Sequence, residues 1–337
     1  MMKLSVVIPA RNAAVDLPHL LAALLPQLTP DDECVLVDDA SEDETGSIAL
    51  RHSIQVLRLG ERSGPAAARN HGVQAVSGTV VVFLDADVVP HPGLIHAIRQ
   101  HLRTSSEFSA VIGSYDKQPH SQATVSRFRN LLHCYTHHHG NREAATFWAG
   151  CGAIRREDFL SIGGFDAELF PIPSIEDIEL GMRLKRFGKR ILLDPTLQVQ
   201  HRKVWTLATM LRTDLKQRAI PWTHLLLSAG DMPQDLNLKL SQRASGAAVA
   251  AMVLALLLIP FAPSAASLAA AALLTAVLVM NWHFYRFLAE CGGWPFALAS
   301  IPAHLLYFLC SVCGFAIANV QFRLHKESPR RPKACRE

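Results

Sequence analysis

Two aspartates on alternate positions, Asp85 and Asp87, follow directly on the apolar run Val80-Val81-Val82-Phe83-Leu84. Carboxylates just past a buried strand can face one point. Such a pair suits a hard divalent cation that shares its remaining positions with water and phosphate. The pair alone is a weak signal, since solvated turn aspartates have the same spelling; its place after a buried strand raises it. A second acid cluster, Asp38-Asp39, ends the run Val35-Leu36-Val37 and leads into Glu42, Asp43 and Glu44. Capping a helix takes one short polar side chain, so two adjacent aspartates at a strand end ask for a further use. In the stretch Gly60 to Asn70, small residues would let a helix lie close to a ligand, and Arg69 could reach a phosphate or a base. The run His137-His138-His139, with His133 nearby, invites a metal reading. Three consecutive side chains on regular structure cannot all face one ion, and the run reads instead as a polar loop.

The elements that must hold these residues alternate. Leu4 to Pro9, Val35 to Val37, Ile54 to Leu59 and Val80 to Leu84 are short apolar runs of the kind that form buried parallel strands. Helical spacing covers Leu17 to Leu28, Pro65 to Val76, which opens with a proline whose missing N–H is harmless there, and about Pro92 to Leu102. Strand and helix at this pitch predict an α/β fold, a mostly parallel, Rossmann-like sheet with helices on both faces. Sheets of this kind bind ligands at the carboxyl ends of their strands. Pro9, Ala10, Arg11 and Asn12 close the first strand, Asp38 and Asp39 the second, and Asp85 and Asp87 the fourth, so the polar residues gather on one rim of one crevice.

Composition narrows the class. The net charge of +4 is mild, and the first 200 residues contain no basic run interleaved with aromatics, which argues against a nucleic-acid partner. Seven cysteines at irregular spacing give neither a disulfide framework nor a zinc pattern and suit a reducing compartment. The N-terminus runs straight into a strand-like segment and reads as lacking a signal peptide. Half of the residues are hydrophobic, and the excess is concentrated after Arg243.

In their order and spacing, the strand-end clusters resemble the nucleotide-binding half of family 2 glycosyltransferases, which have the GT-A fold. The likeness starts at Ser5-Val6-Val7-Ile8-Pro9-Ala10-Arg11-Asn12. It continues through Phe147-Trp148-Ala149-Gly150-Cys151-Gly152, Gly163-Gly164-Phe165-Asp166 and Ile175-Glu176-Asp177, and ends at Val199-Gln200-His201. The resemblance implies that Pro9 to Asn12 and Asp39 contact base and ribose, with Arg69 near the nucleotide. Asp85 and Asp87 would address the ribose and a metal, Mg2+ or Mn2+, on the diphosphate, and His201 would complete the metal shell. Asp177 would be the general base, and Trp148, Gly150, Cys151 and Glu176 would shape the sugar and acceptor pocket. Cys151 departs from the family pattern, which has a small or polar residue there, and so bears on that pocket's specificity. Helix capping is the plainer alternative for Glu176-Asp177. The donor implied is a UDP- or GDP-sugar, and the transfer one that inverts the anomeric centre.

The uncharged stretch Ala244 to Trp282 is too long for one span of about 20 residues. Pro260 and Pro263 divide it into a predicted helical hairpin, and Cys291 to Gln321 supplies a further span. Before them, apolar residues between Lys203 and Arg218 share a helical face beside Arg212, Lys216 and Arg218, as in a helix lying in a membrane interface; packing on the catalytic domain is the rival. The expected organisation is a GT-A domain over 1–202, a juxtamembrane segment over 203–243, two to three transmembrane helices over 244–322 and a basic tail over 323–337. A cytosolic nucleotide donor places the catalytic domain on the cytoplasmic face of the cell (inner) membrane. Three spans then carry the tail outside, against the positive-inside rule, unless the last segment is re-entrant and broken near Pro302.

The resulting expectation is sugar transfer to a hydroxyl of a lipid-linked or membrane-associated glycan. Polyprenyl phosphate is the alternative acceptor; being already ionised it needs no base, so Glu176-Asp177 favours a hydroxyl. A scaffold that retains the fold without activity is the non-enzyme alternative, and intact Asp85, Asp87 and Asp177 argue against it. No Q-x-x-R-W pattern follows His201, which disfavours a polymerising synthase.

Overall fold

The computed structural model describes residues 2–230 and 239–324. The basic residues expected in the tail at Lys326, Arg330, Arg331, Lys333 and Arg336 lie outside them. The chain divides into two compact units, one of residues 2–121 and 137–204, the other of residues 122–136 and 205–324.

The first unit is built on one sheet whose strands are β1 (Leu4–Ala10), β2 (Glu33–Asp38), β3 (Gln55–Arg58), β4 (Val80–Leu84), β5 (Val88–Pro90), β6 (Ala110–Tyr115), β7 (Cys151–Arg155) and β8 (Ile191–His201). With it in the first unit go the helices α1 (Leu17–Leu24), α2 (Thr45–Arg51), α3 (Gly64–Gln74), α4 (Leu94–Thr104), α6 (Arg156–Ser161) and α7 (Glu176–Arg186), while α5 (Thr124–His138) belongs largely to the second unit. The sheet order is β3-β2-β1-β4-β7-β6-β8-β5. The β1–β2, β2–β3, β1–β4 and β6–β8 pairs are parallel, while β7 runs antiparallel to β4 and β6, and β5 antiparallel to β8. Every residue of β1 and β4 is buried, which is why β4 reads as an unbroken apolar run and β1 as one interrupted only by Ser5. The chain moves from β1 outward to β2 and β3 and then returns to place β4 on the other side of β1. The strand order therefore reverses between β1 and β4, the position where open α/β sheets leave a crevice at their carboxyl ends. Register fixes that rim: Ala10 pairs with Asp38, and Val7 with Phe83.

The four strands and three helices expected from the sequence are present, within a few residues. The helix starting at Leu17 ends at Leu24 and tightens into a 3-10 turn over Leu25–Gln27, where Pro26 stands. The histidine run is not a loop. His137 and His138 end α5, and His137 is buried with its Nδ1 at 2.9 Å from the Gly113 carbonyl.

In the second unit, the segment expected to be one amphipathic helix is divided. Thr206 caps α8 (Leu207–Arg212), accepting from the Thr209 N–H at 3.2 Å; a π-helix follows over Thr213–Ala219, and α9 (Ile220–Ala229) completes the run. Then come α10 (Leu240–Leu257), α11 (Pro263–Met280) and α12 (Trp282–Leu324), three helices long and apolar enough to cross a membrane. The gap between α10 and α11 contains Pro260, and α11 opens at Pro263. Pro302 leaves α12 helical; its interruption is at Gly293, two residues before Pro295. Polar side chains tie parts of this bundle together: Asn281 Nδ2, at the end of α11, donates to Ser245 Oγ of α10 at 2.9 Å, and within α12 His304 Nδ1 lies 3.0 Å from the Tyr285 hydroxyl, across the Gly293 interruption. Such bonds hold apolar helices in register where water cannot compete.

Candidate active site

The carboxyl end of β1 turns through Asn12, whose φ is +50°. That conformation is held from both sides: the Asn12 N–H donates to Ser41 Oγ at 3.0 Å, and Asn12 Oδ1 accepts from the Glu42 N–H at 2.9 Å. The Ala13 N–H donates to Thr45 Oγ1 at 2.7 Å. The loop after β1 is thus laced to the loop after β2, leaving Arg11 exposed at the rim, 3.7 Å from Glu42. Asp38 accepts the Ser41 N–H at 2.9 Å, a local turn contact. Asp39 reaches further. Its Oδ1 accepts from the Ser63 N–H at 2.6 Å and its Oδ2 from the Gly64 N–H at 3.0 Å. The buried carboxylate therefore anchors the start of α3 to the end of β2, which answers why two aspartates stand there.

From α3, Arg69 projects among carboxylates. Nη2 meets Asp85 Oδ1 at 2.7 Å and Nη1 meets Glu176 Oε1 at 3.0 Å, and the face of Phe165 lies 5.5 Å from the guanidinium carbon. Burial works against the charge, but Asp85, Glu176 and Asp177 outweigh it and raise the Arg69 pKa above its ordinary value. Both terminal nitrogens are committed to carboxylates, so the guanidinium organises the acids from β4 and α7 where the sequence suggested a phosphate contact. Glu176 is fixed a second time by the Ser174 N–H at 2.9 Å on its Oε2. Asp177, half-buried in the first turn of α7, accepts from the Ala149 N–H at 3.4 Å. Ala149 belongs to the segment that carries Trp148, Gly150 and Cys151, and the Gly150 carbonyl lies 3.4 Å from the Asp85 N–H.

Asp87 faces a different partner from Asp85. Its Oδ2 is 3.5 Å from His201 Nε2, at the end of β8. Burial would raise the Asp87 carboxyl, yet the His201 imidazole and, further off, Lys203 pull it below the ordinary carboxylate value. The two aspartates thus make their ion pairs with different partners, and no group of three or more potential metal ligands occurs among the described residues. The imidazole is oriented by aromatic neighbours: Tyr115 stacks on it at 4.3 Å with an 8° interplanar angle, and Trp148 meets Tyr115 edge-on at 4.9 Å. His137 packs edge-on against the other side of this group, 4.9 Å from Trp148. Cys151 is buried in β7, and burial, then Asp85, push its thiol up to about 12, so it packs as an apolar group.

Residues 5–163 match the model of the glycosyl transferase family 2. The chain carries a family 2 glycosyltransferase domain. Over 208 residues it is 30% identical to the pre-mycofactocin glycosyltransferase of Mycobacterium tuberculosis (strain ATCC 25618 / H37Rv), a match covering 58% of this chain and 42% of that one. Over 174 residues it is 31% identical to the uncharacterized glycosyltransferase YwdF of Bacillus subtilis (strain 168), covering 50% and 63%. The chain thus spans less than two thirds of the length of these curated relatives. Among solved structures, the mannosyltransferase PcManGT from Pyrobaculum calidifontis, in complex with GDP-Man and Mn2+, superimposes with a TM-score of 0.57 at 20% identity, over 96% of this chain and 88% of that one. GalNAc-T7 with UDP, GalNAc and Mn2+ gives 0.51 at 18% identity, over 73% and 51%. The fold is GT-A.

Several residues that shape this candidate site carry no obvious signal in the chain. Asn70, next to Arg69, makes a two-bond clasp: its Nδ2 donates to the Phe165 carbonyl and its Oδ1 accepts from the Phe165 N–H, both at 2.9 Å. Gly164 in that turn has φ +62°, and a Cβ there would lie 2.6 Å from Asn70 Oδ1, so the Gly163-Gly164-Phe165-Asp166 motif is a backbone requirement. Arg183 braces the same turn, donating to the Ile162 and Gly164 carbonyls at 2.6 Å while paired with Glu179 at 2.6 Å. Only the i, i+4 spacing of Glu179 and Arg183 could have hinted at it. Tyr115 ends β6, a strand with an ordinary apolar spelling, and nothing local marks its ring as the support of His201.

Proposed function

We propose that this chain transfers a sugar from a UDP- or GDP-sugar to a hydroxyl of a lipid-linked or membrane-associated glycan, with inversion, from the cytoplasmic face of a membrane crossed by α10, α11 and α12. The observation that carries the reading is the arrangement around Arg69. One buried guanidinium holds Asp85 and Glu176 at the reversal point of the sheet, beside Asp177 and the Asp87–His201 pair.

The acceptor oxygen attacks the anomeric carbon from the face opposite the diphosphate. The bond between that carbon and the diphosphate oxygen breaks, its electron pair leaves on the nucleoside diphosphate, and the acceptor proton passes to the Asp177 carboxylate. A general base of this kind is worth roughly 10²–10⁴-fold in rate. Asp87 and His201, one hard oxygen and one imidazole nitrogen 3.5 Å apart, are the residues that would hold a divalent cation on the donor diphosphate. Mg2+ or Mn2+ held there supplies Lewis-acid stabilisation of the departing charge. Asp39 and the Asn12 loop, fixed as described, line the rim where base and ribose bind.

The test is release of nucleoside diphosphate by the purified full chain in detergent, screened against a panel of sugar nucleotides with Mg2+ or Mn2+ and a hydroxyl acceptor. Asp177→Asn should lower turnover by roughly 10²–10⁴-fold with donor affinity retained, whereas Asp87→Asn should weaken donor binding itself. No release from any donor would leave the inactive scaffold as the better account. Transfer to polyprenyl phosphate that survives Asp177→Asn would move the acceptor to the lipid phosphate.

A further inference from the structure

The second unit contains a cavity of about 420 Å3 bounded by the π-helix, α9, α10 and α12. Arg243, on its wall, is the last charged residue before the uncharged stretch Ala244 to Trp282, so the cavity lies where α10 passes from polar to apolar surroundings. Asp214 also lines it and is 3% exposed. Its Oδ1 takes Arg129 Nη2 at 2.7 Å, while its Oδ2 has no hydrogen-bond partner among the described residues. A buried carboxylate oxygen left without a donor is costly, and native structures rarely tolerate one that serves nothing. Trp222 Nε1, on the same wall, is a buried donor without an acceptor among the described residues. Two cations, Arg218 and Arg243, line the cavity together with Asp214, which is paired with Arg129. Asp214 and Arg218 both stand on the π-helix, and π-helical turns are rare and concentrate at functional sites. The remaining wall includes Phe308 and Phe315 of α12.

We propose that this cavity binds the head of an anionic, hydroxylated glycerophospholipid of the phosphatidylglycerol type. A glycerol hydroxyl donates to Asp214 Oδ2, the phosphate accepts from Arg218, Arg243 and the Trp222 N–H, and the acyl chains leave past Phe308 and Phe315. Small-molecule sites run from roughly 300 to 1,000 Å3, so this volume suits a head group and not two acyl chains. A polyprenyl phosphate brings the phosphate without the glycerol hydroxyls, and a choline head sets a further cation beside two arginines. The inference rests on reading α10 to α12 as membrane helices.

The experiment incorporates the full chain into bilayer discs of phosphatidylglycerol and phosphatidylcholine in equal amounts, extracts it in mild detergent and quantifies retained lipid by mass spectrometry. A stoichiometric amount of phosphatidylglycerol is expected, with little phosphatidylcholine. Arg218→Gln with Arg243→Gln should weaken retention by roughly thirtyfold, the effect of two basic side chains at an anionic head. Ala247→Phe, which fills the cavity from a lining position and leaves every charge in place, should abolish retention, and it carries the test if the arginine variant does not fold. Equal retention of the two lipids, undiminished retention in the variants, or displacement by an equal amount of polyprenyl phosphate each overturns the proposal. A chain that never enters the bilayer overturns the membrane reading with it. Release of nucleoside diphosphate, followed on the same samples, reports separately on the transferase reading.

Discussion

Replacing Arg69 by methionine removes the one cation that holds the acids of β4 and α7 together. The cost follows from burial. The Arg69 and Glu176 side chains are 5 and 7% exposed, whereas Asp85 is 34% exposed. Asp85 can recover hydration, so most of the penalty falls on Glu176, a carboxylate left charged and unpaired inside the protein. Breaking a buried pair by removing one partner costs about 3–5 kcal/mol, which corresponds to a fall of roughly 6–20 °C in melting temperature for a unit of this size. Adding Glu176→Gln to Arg69→Met removes the stranded charge and should restore most of the loss, although Glu176→Gln alone destabilises. Arg69→Lys should fall between, because a point charge cannot bridge two carboxylates as a planar fork does. Thermal unfolding of the purified chain in detergent, followed by tryptophan fluorescence and by protease susceptibility, measures all four. An Arg69→Met variant melting within 2 °C of the parent, about one kcal/mol on this scale, refutes the assignment. So does a double variant less stable than Arg69→Met alone.

Three further outcomes follow from other parts of the first unit. Tyr115→Leu takes away the buried ring stacked on His201 and should raise the Mn2+ concentration for half-maximal donor binding by roughly tenfold, beyond the lowering of the melting temperature that loss of a buried ring brings; an unshifted Mn2+ titration counts against a metal role for that imidazole. Gly72→Ala would place a Cβ 2.3 Å from Val7 Cγ1 and 3.1 Å from Val37 Cγ2, an overpacking worth about 1–3 kcal/mol that Val7→Ala should relieve in the double variant; unfolding midpoints measure it. Burial opposes the charge of Glu33, yet hydrogen bonds from Lys3, Ser5 and Ser77 prevail and lower its carboxyl from 4.5 to about 2. Its contribution is therefore complete above pH 4.5 and is lost as the pH falls towards 2, so the parent should lose stability over that window more steeply than Glu33→Gln in acid-unfolding scans.

What the sequence made legible was the first half of the sheet. Strands β1 and β4 and the last four residues of β2 are buried on both faces, and a strand with no solvated side has a near-continuous apolar spelling. The polar residues behind each such run then mark the functional rim without knowledge of the packing. Strands β5 to β8 were not legible in the same way. They form the mixed half, where β7 enters antiparallel between β4 and β6, and pairing between distant segments leaves no local period. The partners of the site residues were hidden for the same reason. Arg69 stands 16 positions from Asp85 and 107 from Glu176, so its use could be guessed only from its type, and a guanidinium suits a phosphate as readily as a carboxylate. The histidine run was misplaced because composition suggested a loop, while the apolar positions Phe128, Leu131 and Leu132 carry a helix on through His138.

Arg69, Asn70 and Arg183 together explain why the acids of this site can be close without repelling one another apart. Asn70 clasps the Phe165 backbone, and Arg183, on the helix that begins with Glu176, grips the carbonyls of Ile162 and Gly164. Helices α3 and α7 are therefore locked to one turn, and their spacing is set before any charge is considered. Arg69 enters a gap of fixed width, where its planar fork meets Glu176 on one side and Asp85 on the other. A looser scaffold would let the carboxylates rotate towards solvent and leave the guanidinium to hydrate with them. Held as they are, the acids stay inside, their charge partly balanced, and Asp177, in the first turn of α7, has the half-exposed position from which a proton can be taken. The preorganisation that the proposed chemistry needs thus comes from a backbone clasp made by Asn70 and Arg183 and from the buried Arg69 that pairs with the acids.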